Sequence, residues 1–211
     1  MSTEGRQPLL IFPCNGNGIE ALDCLGETYD LVGFVDDSAG KQATRVHGFP
    51  VFAREALLRY PNAQVLAVPG SPTSYRSRRE VIDSLGIPEG RFATVVHAAA
   101  RVSPLAQIGR NVLIMAGVVI TSNAVIGDHV CILPNTVIHH DVVVGAWTLI
   151  GSGVTVAGGV TIGENCYVGS GSSIMNGIDL GGGSLVGLGS NVIRNVLPEC
   201  RVGGNPARDL G

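Results

Sequence analysis

The chain of 211 residues carries 14 lysines and arginines against 17 aspartates and glutamates, and 45 % of its residues are hydrophobic. It is therefore long and apolar enough to bury a core as one large or two small domains. A formal net charge of −3 gives no support for nucleic acid or an anionic membrane as a partner. The five cysteines are widely spaced without a C-x-x-C pair, which argues against a disulfide framework and a zinc ribbon.

The first half of the chain alternates predicted strands and helices. Short apolar runs predict strands at 8–12, 31–37, 64–70 and 92–96. The segments between them predict helices at 17–27, 53–60 and 74–86. This alternation indicates a small Rossmann-like parallel α/β domain over residues 1–97. Because the N-terminus has no basic leader and its apolar run is short, we expect a cytoplasmic protein without a membrane span.

A glycine-containing turn, FPCNGNG at 12–18, lies between the first predicted strand and the first helix. Doubly wound domains bind nucleotides at this place, with the phosphate at the helix N-terminus. The dinucleotide fingerprint G-x-G-x-x-G is not met, because Pro13 stands where a glycine is expected. A plain turn and a helix capped by Asn15 or Asn17 therefore stays open as the alternative.

Three arginines follow the end of the strand 64–70 on the predicted helix 74–86. Charged residues on a short helix most often face solvent. We therefore expect Arg76, Arg78 and Arg79 to form a solvated helix face.

The second half of the chain has a period of six residues. Aliphatic residues occupy every sixth position from Val102 to Val192 without interruption, and the residue after each is often glycine. This content resembles the hexapeptide repeat of the left-handed parallel β-helix, in which the aliphatic residue points into a prism. We expect such a β-helix over 98–211, with three hexapeptides in each coil and about five coils. Glycine is expected to supply the permissive backbone of the corners.

The segment VIHHDVVVG, at 137–145, places two histidines and an aspartate in an apolar run. His139 and His140 follow the inward-pointing Ile138, so we expect both to point off the prism. These histidines have three possible roles: a structural residue, a metal ligand, or a general base held by a carboxylate. The histidines of the chain lack the spacing of known zinc-binding β-helices, so we expect no metal site.

A small α/β domain followed by a hexapeptide β-helix resembles the NeuD/PglD-like acyltransferases, which acetylate sugars in bacterial polysaccharide, glycan and sialic-acid pathways. The resemblance extends over nearly the whole chain, and VIHHDVVVG matches the family segment V-I-x-H-[ED]-x-x-I-G. It implies that His140 is the catalytic base and that Asp141 is the carboxylate that raises its basicity. It also implies acetyl-CoA as co-substrate, a nucleotide sugar as acceptor, and a homotrimer with His140 facing a neighbour's coils.

The same resemblance implies two sets of binding residues. The nucleotide-sugar site matches Asn15, Gly16, Asn17, Asp36, Asp37, Pro69 and Gly70. The acetyl-CoA groove matches the later coils and the terminal loop GGNPAR, at Ser170, Gly187, Leu188 and Pro206. Family members often carry a second histidine nine residues after the base. Leu149 stands there in this chain, so the acetyl carbonyl must be polarised by backbone N–H groups.

The reaction that the resemblance implies is direct acetyl transfer to the amino group of a nucleotide-linked sugar of the 4-amino-4,6-dideoxy type. The acceptor remains open, because Pro13 and Asn17 depart from the family turn G-x-x-G-H-G. O-acetylation of a sugar or sialic acid is the alternative reaction, because one base serves both nucleophiles. A non-catalytic β-helix that binds a nucleotide sugar is the alternative of another class.

Overall fold

The computed structural model describes residues 5–211. Within them, the N-terminal sheet has the strand order β3-β4-β2-β1-β5. Its strands are β1 (Gln7–Phe12), β2 (Tyr29–Val35), β3 (Arg45–Val46), β4 (Phe49–Phe52) and β5 (Gln64–Ala67). The pairings are parallel except for the edge hairpin of β3 and β4, which the sequence analysis did not predict. The expected parallel α/β domain is thus confirmed, with one antiparallel edge.

The helices of this domain are shorter than their predicted ranges. They are α1 (Gly16–Glu20), α2 (Ala56–Arg59) and α3 (Arg78–Asp83). Tight 3₁₀ turns at Ala21–Cys24 and Tyr75–Ser77 take up part of the predicted first and third helices. Because β1 lies between β2 and β5, the loops after β1 and β5 leave the sheet in opposite directions. Their divergence opens a crevice at the carboxyl ends of these strands.

The rest of the described chain winds into a triangular prism of short strands. One face contains β6 (Val95–Val96), β9 (Leu113–Ile114), β12 (Cys131–Ile132), β15 (Leu149–Ile150), β18 (Tyr167–Val168), β21 (Leu185–Val186), β23 (Arg201–Gly204) and β24 (Ala207–Asp209). The second face contains β7 (Arg101–Val102), β10 (Val119–Ile120), β13 (Val137–Ile138), β16 (Thr155–Val156), β19 (Ser173–Ile174) and β22 (Asn191–Val192). The third face contains β8 (Gln107–Ile108), β11 (Val125–Ile126), β14 (Val143–Val144), β17 (Thr161–Ile162) and β20 (Asp179–Leu180).

Each strand of the regular coils pairs in parallel with the strand 18 residues further on, as Val119 with Val137 and Val125 with Val143. Three hexapeptides therefore make one coil, as the sequence predicts. The aliphatic residues of the repeat line the interior, where Ile120 and Ile138 are at most 1 % exposed. Burying them removes apolar surface from water and stabilises the prism.

Some glycines of the repeat supply the left-handed backbone of a corner, as expected, for example Gly153 with φ 64°. The glycines that directly follow an aliphatic residue have another role. Gly145, directly after an aliphatic residue, has no positive φ, but a Cβ there would lie 2.5 Å from the backbone nitrogen of Glu164 on the next coil. Glycine is needed at this position because successive coils approach closely. The left-handed backbone falls two residues later in the repeat, where Asn, Asp and Gly are frequent, as at Asn123 (φ 61°) and Trp147 (φ 59°).

The N-terminal domain packs against one face of the prism, which we call the covered face (the face of β9, β12 and β15). Leu113, Cys131 and Leu149 on this face share a buried cluster with Leu9 and Ile11 of β1. Val95–Val96, which the sequence assigned to the first sheet, already pairs with β9 of the prism. The division of the chain at residue 97 stays a prediction.

Candidate active site

His140 and Asp141 lie at the corner between the second and third faces, between β13 and β14. The imidazole Nδ1 is 2.8 Å from Asp141 Oδ2, and the two side chains are 64 % and 57 % exposed. The sequence predicted that the side chains of His139 and His140 point off the prism, and the exposure of His140 confirms this for His140. With Asp141 ionised, Nδ1 donates the hydrogen bond and the lone pair lies on Nε2, which is free to accept a proton.

Asp141 has a second partner on the preceding coil. The Asn123 side-chain nitrogen Nδ2 donates to Asp141 Oδ1 at 3.0 Å. Hydrogen bonds from His140 and then from Asn123 lower the pKa of Asp141 below its usual value. The carboxylate is therefore ionised at neutral pH and is held through both of its oxygens.

Gly158 lies on the next coil, 18 residues after His140. A Cβ on Gly158 would lie 2.6 Å from the imidazole atoms Cε1 and Nε2, so the ring rests directly on the glycine backbone. The Gly158 N–H has no hydrogen-bond partner among residues 5–211. An unpaired N–H beside the free nitrogen of an imidazole is a suitable donor for a developing oxyanion.

The crevice at the ends of β1 and β5 brings together part of the predicted acceptor site. It is lined by Asn15, Gly16, Asn17, Gly70, Ser71 and Pro72, and on the prism side by Leu133, Leu149 and Tyr167. Asn15 caps α1, since its Oδ1 accepts from the Gly18 N–H at 2.8 Å. The capping alternative is therefore correct for Asn15, and the cap itself forms part of the crevice wall.

Asp36 and Asp37, the other predicted acceptor residues, have partners within the chain. The Asp36 carboxylate is buried and accepts from Cys14 N–H at 3.0 Å and from Lys41 Nζ at 3.0 Å. Burial alone would raise the pKa of Asp36, but hydrogen bonds from Ser38 and Lys41 outweigh it and lower the pKa. Asp37 is exposed and pairs with Arg54 through two contacts of 2.6 and 2.7 Å. Asp36 thus anchors the turn after β1, and contact of either side chain with an acceptor stays a prediction.

The expectation of a solvated arginine face is wrong for Arg78. Its side chain is 1 % exposed, and burial lowers its pKa to about 10. The guanidinium donates to the carbonyls of Trp147 at 2.9 Å, His129 at 2.6 Å and Pro69. Arg78 therefore ties the loop after β5 to two successive coils at one corner of the prism, between the third and covered faces. The sequence held no signal for this, because the carbonyls it binds lie up to 69 residues away along the chain.

The neighbouring arginines remain exposed but also contact the prism. Arg76 donates to the carbonyl of Glu199 at 2.8 Å, and the guanidinium of Arg79 lies 4.5 Å from the ring centre of Trp147. The face that the sequence assigned to solvent is thus part of the contact between the two halves of the chain.

The residues predicted for acetyl-CoA lie away from His140. Ser170 and Leu188 lie at the corner between the covered and second faces on successive coils, and Leu188 is 72 % exposed. Gly187 precedes Leu188, and Pro206 is exposed in the turn between β23 and β24. These four residues stay predictions as cofactor contacts. In the described part of the chain, no group of three or more His, Cys, Asp or Glu side chains is placed to hold a metal ion.

Comparison with known proteins agrees with this geometry. Residues 105–176 match the family described as bacterial transferase hexapeptide (six repeats), in three overlapping matches. A mutant of perosamine N-acetyltransferase from Caulobacter crescentus, in complex with CoA and GDP-perosamine, is similar at 28 % identity and a TM-score of 0.83, over 97 % of each chain. The acetyltransferase domain of PglB from Neisseria gonorrhoeae is similar at 28 % identity and a TM-score of 0.84, over 97 % of this chain and 100 % of that one. No curated protein sequence matches the chain.

The fold and these matches place the chain in the hexapeptide-repeat acyltransferase superfamily with a left-handed β-helix. Over nearly its whole length the chain is similar to sugar acetyltransferases, as its sequence indicated. WeeI from Acinetobacter baumannii shares the fold, with a TM-score of 0.82 at 22 % identity. Among residues 5–211, no helix has the length and apolar character needed to cross a membrane.

Proposed function

We propose that the protein transfers the acetyl group of acetyl-CoA to the amino group of a nucleotide-linked sugar, of the 4-amino-4,6-dideoxy type. The observation that carries this proposal is the exposed pair of His140 and Asp141, with Nδ1 bound at 2.8 Å and Nε2 free. The likeness to a perosamine N-acetyltransferase structure with CoA and GDP-perosamine bound supports the choice of an amino sugar. We also place this step in cytoplasmic synthesis of a polysaccharide precursor.

His140 acts as the general base in this proposal. Its Nε2 takes a proton from the acceptor amine as the nitrogen attacks the thioester carbonyl, while Asp141 stabilises the imidazolium that forms. The resulting tetrahedral species collapses with release of the CoA thiolate, which takes the proton from the imidazolium and so restores neutral His140. No covalent enzyme intermediate is required, and no side chain other than His140 has to exchange a proton with the reactants.

The Gly158 N–H is the proposed donor to the oxyanion. Gly158 lies beside the imidazole, and its N–H has no partner among the described residues. Leu149 has no donor to offer, and it lies on the covered face, away from the His140 corner. A backbone donor at Gly158 therefore supplies the carbonyl polarisation that a second histidine cannot give in this chain.

We further propose a homotrimer in which each site is shared between two copies. The acceptor crevice borders the covered face, and Ser170 and Leu188 lie at one edge of that face. His140 lies at the corner opposite the covered face, between the second and third faces. A second copy of the chain would bring its His140 corner to this edge. Light scattering should give the mass of three chains, and a monomer at working concentration would contradict the shared site.

The reaction is tested by measuring thiol release from acetyl-CoA with UDP-, GDP- and dTDP-linked 4-amino sugars and with free sialic acid. The wild-type protein should turn over one of the amino sugars. His140→Ala should lower kcat by a factor of about 10²–10⁴, the range for a lost general base, while acetyl-CoA still binds. Full activity of His140→Ala would refute the assignment of the base, and turnover with sialic acid alone would favour O-acetylation.

A further inference from the structure

The corner that carries His140 is built from three stacked coils. Above the His140 coil lies the segment 121–123, and below it lies the segment 157–159, each offset by 18 residues. These two segments, Thr-Ser-Asn and Ala-Gly-Gly, contain no titratable side chain. The titratable groups beside His140 are therefore Asp141 and His139 of its own coil. On the neighbouring coils, the Asn123 side chain donates a hydrogen bond to the Asp141 carboxylate, whereas the Ser122 carbonyl accepts from the Asp141 backbone N–H.

We propose that Asn123 is the positioning residue of the catalytic pair. Its amide holds Asp141 Oδ1 and so presents Oδ2 to His140 Nδ1. This inference rests on the proposed function, because it assigns a part in the work of that same base. Among the described residues, Asn123 makes no hydrogen bond to the imidazole or to Gly158, so we infer that it acts through Asp141.

The geometry gives Asn123 this role for two reasons. A carboxylate on an exposed corner is free to rotate about its terminal torsion unless a second donor fixes it, and a rotated Asp141 would release Nδ1. Asn123 also occupies the left-handed corner position of its coil, at φ 61°, and Asp141 occupies the same position one coil later, at φ 58°. The regular stacking of the coils thus sets the 3.0 Å distance between the two side chains.

The test replaces Asn123 in two ways in the full-length protein. Asn123→Gly keeps the left-handed backbone and removes the amide, and it should lower kcat about tenfold with both KM values unchanged, as expected for a less well oriented base. Asn123→Asp places a second carboxylate beside the first. It should raise the pH at which kcat/KM reaches half its maximum, because added negative charge favours the imidazolium.

Asn165→Gly is the matched control. Asn165 also has a left-handed backbone, with φ 55°, and its amide donates to the Arg76 carbonyl at 2.8 Å, away from the proposed site. It should keep the wild-type kcat and pH profile. A purely structural role for Asn123 would lower the stability of Asn123→Gly but leave its kcat and pH profile at the wild-type values.

The outcomes separate the two proposals. If His140→Ala is inactive and Asn123→Gly is slowed, the inference stands. If His140→Ala is inactive but Asn123→Gly has the wild-type kcat and pH profile, the inference is overturned and the proposed function remains. If His140→Ala retains full activity, the assignment of the base fails, and the role of Asn123 fails with it.

Discussion

Two corners of the prism carry histidines in very different surroundings. His129 lies between the third and covered faces, beneath the N-terminal domain, where its ring stacks on Trp147 with centroids 5.6 Å apart. His140 lies between the second and third faces and is 64 % exposed, with a carboxylate as its partner. Both corners come from the same repeat, so the packing against the N-terminal domain makes the difference.

The surroundings of His129 keep its ring neutral. Asn111 accepts from the Ala67 N–H at 2.7 Å and donates to the Ala67 carbonyl at 2.8 Å, which fixes the orientation of its amide. The same amide nitrogen lies 2.9 Å from His129 Nδ1, which therefore accepts and leaves the proton on Nε2. Burial lowers the pKa of His129, and Asp128 opposes this only in part. His129 is a packing residue, whereas His140 has the exposure and the carboxylate that a base needs.

The largest predicted effect is on stability, at the corner between the third and covered faces where Arg78 binds the carbonyls of His129 and Trp147. Arg78→Met should lower the free energy of unfolding by about 3 kcal/mol or more, because three carbonyls lose a charged donor in a buried place. Urea unfolding monitored by circular dichroism measures the change. Arg79→Met is the matched control on the same helix, and its exposed side chain should contribute under about 1 kcal/mol. Equal stability of the two variants would show that the buried guanidinium does not hold the two halves together.

The next effect is on kcat, at the corner between the second and third faces that carries His140. Gly158→Ala keeps the backbone N–H but places a methyl group against the imidazole, so kcat should fall about tenfold as the base is displaced. Gly182→Ala is the control, since Gly182 has the same place in its hexapeptide and a Cβ there meets its nearest atom at 3.4 Å. Steady-state kinetics of both variants decide the matter. Unchanged kcat in Gly158→Ala would mean that the imidazole does not rest on this glycine during catalysis.

The smallest effect is the pH dependence of stability that His129 causes. Its pKa is lower in the folded chain than the ordinary histidine value of 6.5, so the unfolded chain binds more protons between these two values. The free energy of unfolding should therefore fall as the pH drops below about 6.5. The carboxylates of Asp36, Asp128 and Asp141 also have lowered pKa values. Their ordinary pKa is 3.8, so they change the free energy of unfolding only below the pH range in which His129 titrates.

Thermal unfolding between pH 5 and 7 measures this effect. His129→Asn should flatten the decline, since asparagine tolerates the left-handed backbone and does not titrate. His47→Asn is the matched control, because His47 also has a positive φ, 48°, but is exposed. An equal slope in the two variants would contradict the assignment to His129.

Much of this protein follows from sequence patterns alone. The six-residue period predicts the prism because each hexapeptide has the same pattern, in which an aliphatic residue points inward and a turn follows at the corner. His140 and Asp141 are also predictable as a pair, because they are adjacent in the chain and the period places them off the core. The alternation of apolar runs likewise predicts the sheet domain, although its helix ends are set by 3₁₀ turns that leave no periodic signal.

Other features depend on tertiary structure. Asn123 and Asp141 are 18 residues apart, and only the stacking of coils brings them to 3.0 Å. Arg78 is buried because two coils at one prism corner and the loop after β5 converge on it, whereas its sequence neighbours are those of an exposed helix. The sequence by itself thus determined the repeat, the inward face and the adjacency of His140 and Asp141 outside the core, which are local properties. Tertiary structure decided which histidine packs beneath the N-terminal domain, which arginine is buried and which residue hydrogen-bonds to Asp141, because burial and long-range hydrogen bonds exist only after the faces meet.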